Sequence, residues 1–281
     1  MRLVTFTTGA APALGVVKGD SIVPLPDGMA ADMIDLISRW DALRPAVVKL
    51  ATESASMKLA DVRLLAPVPR PGKVMAIGLN YADHVAETGR EPPKQQTWFS
   101  KMQSAVNGPF DPIQLPKAST MVDWEAELVF VVGKRGRHIA KADAPSHVFG
   151  FCCGNDVSVR DWQNMTPQWI LGKSFDTHAP FGPWIVTADE LGDPHTLGIR
   201  CLVNGETRQS SNTCNLVFNV YDQIALLSQA MTLEPGDVIY TGTPGGVGMA
   251  MKPPVFLKAG DKVRVEIDHI GAIEATVTPE R

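Results

Sequence analysis

Apolar and polar positions along this chain mostly fall into short runs, and only two segments keep helical spacing. Runs near 2–7, 14–18 and 21–25 read as strands, with a turn at 9–12 between the first two. Met29, Met33, Leu36, Ile37 and Trp40 then recur at helical intervals, which predicts an amphipathic helix with those side chains in the core. The stretch Ala66-Pro67-Val68-Pro69-Arg70-Pro71-Gly72 is stiff, extended and short of backbone donors. It predicts a small N-terminal domain over 1–66, a proline-rich linker over 67–72 and a second domain over 73–281. That second part opens with a strand at 73–78 and a helix-compatible stretch at 82–88. Strands near 198–204, 237–241, 262–268 and 272–278 follow, with one helix at 220–231 whose stripe is Ile224, Leu227 and Met231. Strands without regular βαβα alternation predict a mixed-β (α+β) fold with few helices.

One strand carries an unusual load. Asp123-Trp124-Glu125-Ala126-Glu127 leads into 128–132, a continuously apolar run of the kind found in strands covered on both faces. On a strand, Glu125 and Glu127 share a face roughly 7 Å apart. A third acid, Asp156, lies in the apolar stretch 154–157. Ionised together in a core they repel and carry a desolvation cost, which a divalent ion accepting oxygen from all three removes. An edge strand whose glutamates face water is the plain alternative. An all-oxygen set favours Mg2+ or Mn2+ over zinc and leaves open positions, which a chelating 2-oxo acid fits.

Composition narrows the partners. The 281 residues hold 44% hydrophobic and 20% charged residues with a net charge of −4, ordinary values that argue against nucleic acid or an anionic membrane. The four cysteines, Cys152, Cys153, Cys201 and Cys214, lack zinc spacing and read as reduced thiols. No apolar run approaches the ~20 residues that span a bilayer. A cytoplasmic enzyme acting on a small molecule is expected.

Other candidates are weaker on their own. His84 and Glu87 share a helix face, so the carboxylate can orient the imidazole for proton abstraction, yet a surface polar pair has the same spacing. Lys173 reads equally as a structural ion-pair lysine, and Arg160 as a capping charge. The glycines in 241–248 match neither a phosphate loop nor a dinucleotide fold, and point to a tight turn or close backbone approach.

With these residues assembled, 70–278 resembles the fumarylacetoacetate hydrolase family. The matching strings are Ile77-Gly78-Leu79-Asn80-Tyr81-Ala82-Asp83-His84-Val85-Ala86-Glu87, Val122-Asp123-Trp124-Glu125-Ala126-Glu127-Leu128, Asn155-Asp156-Val157-Ser158-Val159-Arg160-Asp161, Gly172-Lys173-Ser174-Phe175-Asp176 and Thr241-Gly242-Thr243-Pro244. The variety with a short N-terminal domain is the more similar. The resemblance implies a β-roll fold and a homodimer. It implies Glu125, Glu127 and Asp156 as ligands of one Mg2+ or Mn2+ per subunit, and His84 and Glu87 as a water-activating dyad on a lid that orders when substrate binds. Lys173 is then the cation beside a developing enolate, and Arg160, Thr243, Lys101 and Tyr81 are substrate contacts. The lid segment 90–101 departs from the family's commoner wording, which bears on substrate range. The activity so implied is hydrolysis of the C–C bond of an acylpyruvate-type 2,4-dioxo acid, of the fumarylpyruvate or maleylpyruvate class met in aromatic catabolism. The same enolate chemistry serves oxaloacetate decarboxylation or tautomerisation, and hydration or isomerisation of an unsaturated 2-oxo acid. A ligand-binding member without turnover is a further class.

Overall fold

The computed structural model describes residues 1–281 except 10, 53, 54, 56, 88 and 90. Ala10 of the expected first turn, Thr88 at the end of the expected helix and Arg90 at the start of the expected lid thus lie outside the described residues.

The fold is built around Ala126–Val132, buried at every position. Its alternate side chains enter two different cores. Ala126, Leu128, Phe130 and Val132 pack with Phe151, Ile199 and Val265, whereas Val129 and Val131 pack with Leu3, Leu36, Phe149 and Phe181. Coverage on both faces explains a continuous apolar run where a half-solvated strand would alternate. Antiparallel neighbours flank it, Val148–Asn155 on one side and Val238–Tyr240 on the other.

These strands sit mid-way in a twelve-stranded sheet. Beyond Val148–Asn155 come Ala179–Thr187, Arg2–Thr7, Ala13–Lys18, Ser21–Pro24 and Met57–Lys58; beyond Val238–Tyr240 come Val74–Gly78 and Thr97–Ser100. A five-stranded sheet, Glu206–Asn212, Gly198–Val203, Lys262–Ile267, Gly271–Pro279 and Ile113–Leu115, closes over the first core. The helices Met33–Ser38 and Trp40–Thr52 cover the second. Mostly β structure with a few short helices is the expected fold class.

Several local expectations change. The single helix expected through 29–40 is two, the first starting after Asp32, whose side chain caps it by accepting from Asp35 N at 2.8 Å. Among the strands not expected are two long ones. Ala179–Thr187 holds Pro180 and Pro183, which argue against a strand by local rule. Its position between Arg2–Thr7 and Val148–Asn155 overrides that preference. Glu206–Asn212 is polar throughout and half-exposed, so it carries no apolar signal. The pairing Arg2↔Val186 and Leu3↔Ile185 continues the sheet from the N-terminal segment into the rest of the chain.

Candidate active site

The acidic strand does not begin where the sequence suggested. Val122–Asp123 pairs with Ser158–Val159, Trp124 and Glu125 interrupt the run, and the main strand starts at Ala126. The interruption is stitched to the end of Val148–Asn155: Glu125 N donates to Asn155 Oδ1 at 2.9 Å, and Asp156 N donates to Glu125 O at 2.9 Å. That stitching gathers the acids. Glu125, Glu127 and Asp156 are all buried, each with an oxygen within 4.8 Å of the others.

Their neighbours decide what the cluster can hold. Lys173 Nζ donates to Glu125 Oε2 at 2.6 Å and Asp156 Oδ2 at 2.7 Å, and Lys101 pairs with the other Asp156 oxygen. Arg160 Nη1 pairs with Glu125 Oε1 at 2.7 Å while its Nε pairs with Asp123 at 2.8 Å. Burial alone would raise the Glu125 carboxyl, but Lys173 and Arg160 hold it at about 2. Glu127 has no ion-pair partner among the described residues. It accepts from Gly242 N at 2.7 Å, and burial, reinforced by Asp156 and Glu125, pushes its carboxyl well above the ordinary range. A carboxylate oxygen so placed, beside two others, is what a hard divalent cation neutralises. The donor set therefore fits Mg2+ or Mn2+. With Glu127 driven toward its neutral form, Asp123, Glu125 and Asp156 carry three negative charges against three from Lys101, Arg160 and Lys173; a divalent ion that displaces the Glu127 proton would leave the cluster with one positive charge.

His84 and Glu87 ride on Ala82–Glu87, with His84 Nδ1 3.2 Å from Glu87 Oε2. The other Glu87 oxygen accepts from Gly246 N at 2.9 Å; Asp83 accepts from Gly245 N and from the Ser211 hydroxyl. The helix is thereby docked on the glycine-rich turn at 241–248. Gly242 there has φ +100°, and a Cβ on it would lie 2.7 Å from Asn80 Cβ. Glycine serves close backbone approach, which puts the Gly242 N–H on Glu127. His84, Glu87, Glu125, Glu127, Arg160, Lys173 and Thr243 border one cavity of about 340 Å³.

That constellation lies inside a segment, residues 73–278, that matches the fumarylacetoacetate (FAA) hydrolase C-terminal domain. The chain belongs to the fumarylacetoacetate hydrolase family. Residues 1–67 match the Rv2993c-like N-terminal domain. The chain is 46% identical, over 99% of its own length and 90% of the relative's, to oxaloacetate tautomerase fahd2, mitochondrial, of Xenopus laevis. The crystal structure of maleylpyruvate hydrolase from Sphingobium sp. SYK-6 in complex with manganese (II) ion and pyruvate superposes with a TM-score of 0.85 at 37% identity, covering 100% of both chains. That of 5-carboxymethyl-2-hydroxymuconate delta-isomerase from Mycobacterium smegmatis does so with a TM-score of 0.81 at 35% identity, again over 100% of both. A tautomerase, a hydrolase and an isomerase thus share this fold, and membership of the fumarylacetoacetate hydrolase family does not choose among them.

The structure places the remaining expected contacts unevenly. Thr243 borders the cavity, but its hydroxyl donates to Ala126 O at 2.9 Å and accepts from Gln209 at 2.8 Å. Lys101 is buried on Asp156 and does not border the cavity; burial lowers its ammonium below the ordinary lysine range. Tyr81 is also away from the cavity, packed in the first core with its hydroxyl unpartnered. Residues not singled out from sequence complete the walls: Ile77, Leu79, Phe99, Trp169, Val247 and Met249 are apolar, and Gln163 and Asn164 supply amides. Gln163, Asn164 and Trp169 gave a weak signal because 161–172 reads as a hydrophilic stretch. It folds into two single turns, Arg160–Gln163 and Ile170–Lys173, held so close that a Cβ on Gly172 would lie 2.2 Å from Gln163 N.

Proposed function

We propose that this chain interconverts the keto and enol forms of a short 2-oxo diacid, oxaloacetate being the one that fits best. The observation that carries the reading is the distribution of charge around the cavity. Its lysine and arginine, Lys173 and Arg160, both lie on the acidic triad, and apart from His84, Glu87 and Thr243 the other described lining residues are apolar, glycine or amide. A second carboxylate must therefore sit close to the first, as in a four-carbon diacid; a long acyl chain ending in a carboxylate would meet a wall without a counter-charge. The volume of about 340 Å³ agrees, near the small end of ligand sites. The activity for which the Xenopus laevis relative is named points the same way.

A divalent cation held by Glu125, Glu127 and Asp156 would supply charge stabilisation for the 2-oxo oxygen. The Lys173 ammonium, fixed between Glu125 and Asp156, adds positive charge at the same end of the cavity, where the enolate oxygen develops. His84, with Nδ1–H donating to Glu87, keeps its Nε2 lone pair free to take the C3 proton of the keto form and deliver it to the enolate oxygen, or to carry it from the enol hydroxyl back to C3. Apolar neighbours such as Phe99, whose ring centroid lies 5.0 Å from Lys173 Nζ, exclude water and strengthen these interactions. Hydrolysis of an acylpyruvate is the second reading, supported by the likeness to maleylpyruvate hydrolase. In it His84 takes its proton from a water rather than from carbon.

The two readings separate in one assay. Enol oxaloacetate, acetylpyruvate and fumarylpyruvate are each added to protein with Mn2+, while enol absorbance and pyruvate release are followed. The expected result is accelerated loss of the oxaloacetate enol signal without pyruvate, with fumarylpyruvate the poorest of the three. Pyruvate released in proportion to enol loss would replace tautomerisation with cleavage.

A further inference from the structure

Asp123 belongs neither to the triad nor to the dyad, yet it is fully buried beside them. Four donors converge on it. Oδ1 accepts from Trp124 N at 2.8 Å and Gly248 N at 2.8 Å; Oδ2 accepts from Arg160 Nε at 2.8 Å and Met249 N at 3.0 Å. Only an acceptor on both atoms satisfies this set: an amide in its place would turn two N–H donors toward others. The turn it holds is tight. A Cβ on Gly248 would lie 2.0 Å from Val255 O and 2.8 Å from Asp123 Oδ1, so the backbone approaches the carboxylate as closely as glycine allows.

Both groups tied to Asp123 border the cavity, Arg160 directly and the turn through Met249 and Ala250. Arg160 is held on a second side as well, Nη1 reaching Glu125 Oε1 at 2.7 Å and Gln163 Oε1 at 2.9 Å. With Nε on Asp123 and Nη1 on Glu125, the guanidinium plane is fixed, and Nη2 remains as a buried donor without a partner. We propose that Asp123 is a positioning residue: its carboxylate locks the Arg160 plane and the Met249–Ala250 wall into one relation, so that the guanidinium offers a fixed edge to a substrate carboxylate. This deepens the reading above, since it takes a 2-oxo acid to be the occupant. The specificity it confers is for a planar, anionic end group, which a fixed guanidinium edge recognises and a mobile one does not.

The test uses oxalate, a planar two-carbon dianion, titrated calorimetrically into the Mn2+-loaded full-length protein. Asp123→Asn is expected to weaken oxalate at least about tenfold while Mn2+ affinity, titrated separately, stays within about threefold of wild type. In kinetics KM rises and kcat changes far less. Arg160→Lys should weaken oxalate by a similar factor, and the double variant should bind no worse than the weaker single one, because both changes break the same lock. Wild-type oxalate affinity in Asp123→Asn, or losses that add in the double variant, would overturn the proposal. Should Asp123→Asn not fold, Arg160→Lys decides alone: an ammonium cannot keep a plane between Asp123 and Glu125, so unchanged oxalate binding in that variant overturns it too. A wrong reaction assignment shows differently, as absent enol turnover with this pattern of oxalate affinities intact.

Discussion

Glu125 and Asp156 each hold lysine or arginine nitrogens, whereas among the described residues Glu127 receives only the Gly242 N–H, so the state of Glu127 depends most on what binds beside it. Glu127→Gln removes a carboxyl that burial already drives toward its neutral form. Without metal the variant is expected to be as stable as wild type or more so; Mn2+ affinity should fall on the order of 100-fold or more, since even partners of a ligand cost up to that. Parallel melting curves and Mn2+ titrations check both halves. A second residue responds to pH. His178 is fully buried, its Nε2 2.8 Å from Gln114 O, and burial depresses it from 6.5 to about 4. The neutral ring is thus favoured by the fold: above pH 6.5 nothing changes, and as pH falls from 6.5 to 4 the unfolded chain takes up a proton that the folded one refuses. That window should remove about 3 kcal/mol of stability. His178→Gln keeps a donor for Gln114 O but does not titrate, so the gap between wild type and variant in denaturant unfolding should close by that amount between pH 7 and pH 4. A gap independent of pH would contradict the assignment. The acids of the triad were legible because carboxylates in apolar runs are costly. Asp123 was not, since three of its four partners lie 37, 125 and 126 positions away.

At the scale of elements, the glycine-rich turn at 241–248 connects site to fold. It follows Val238–Tyr240, lends the Gly242 N–H to Glu127, and receives Glu87 and Asp83 from Ala82–Glu87. Gly242→Ala places a Cβ 2.7 Å from Asn80 Cβ at φ +100°. The strain should cost about 1–3 kcal/mol and lower Mn2+ affinity through Glu127. Denaturant unfolding and Mn2+ titration read the two effects; an unaltered affinity would show that the turn does not hold Glu127. Sequence pattern located this turn and excluded a nucleotide role, but not its contacts. The strands near 2–7, 198–204 and 262–268 were legible for a simpler reason, alternation of buried and exposed residues or plain apolar runs. Ala179–Thr187 was hidden by its prolines, and the break at Trp124 and Glu125 by the uninterrupted pattern around it.

Taken whole, the molecule combines a modest net charge of −4 with a buried cluster that a divalent ion would make positive. Local charge, not global charge, would therefore draw the anionic substrate proposed above. Fold class was readable from element spacing, but the continuity of the large sheet was not: the pairing of Arg2–Thr7 with Ala179–Thr187 joins residues far apart in the chain. The arrangement of Lys101, Lys173 and Arg160 around the acids was equally invisible, and it means that the cluster is partly neutralised before any ion arrives. Occupation of the triad is thus the claim on which the functional reading rests. Crystals grown with Mn2+ and oxalate, measured for anomalous scattering at the manganese edge, address it directly. The account predicts one peak about 2.0–2.3 Å from an oxygen each of Glu125, Glu127 and Asp156, with oxalate filling the remaining positions. No peak there, with the three carboxylates still closed on Lys101, Lys173, Arg160 and the Gly242 N–H, would contradict it.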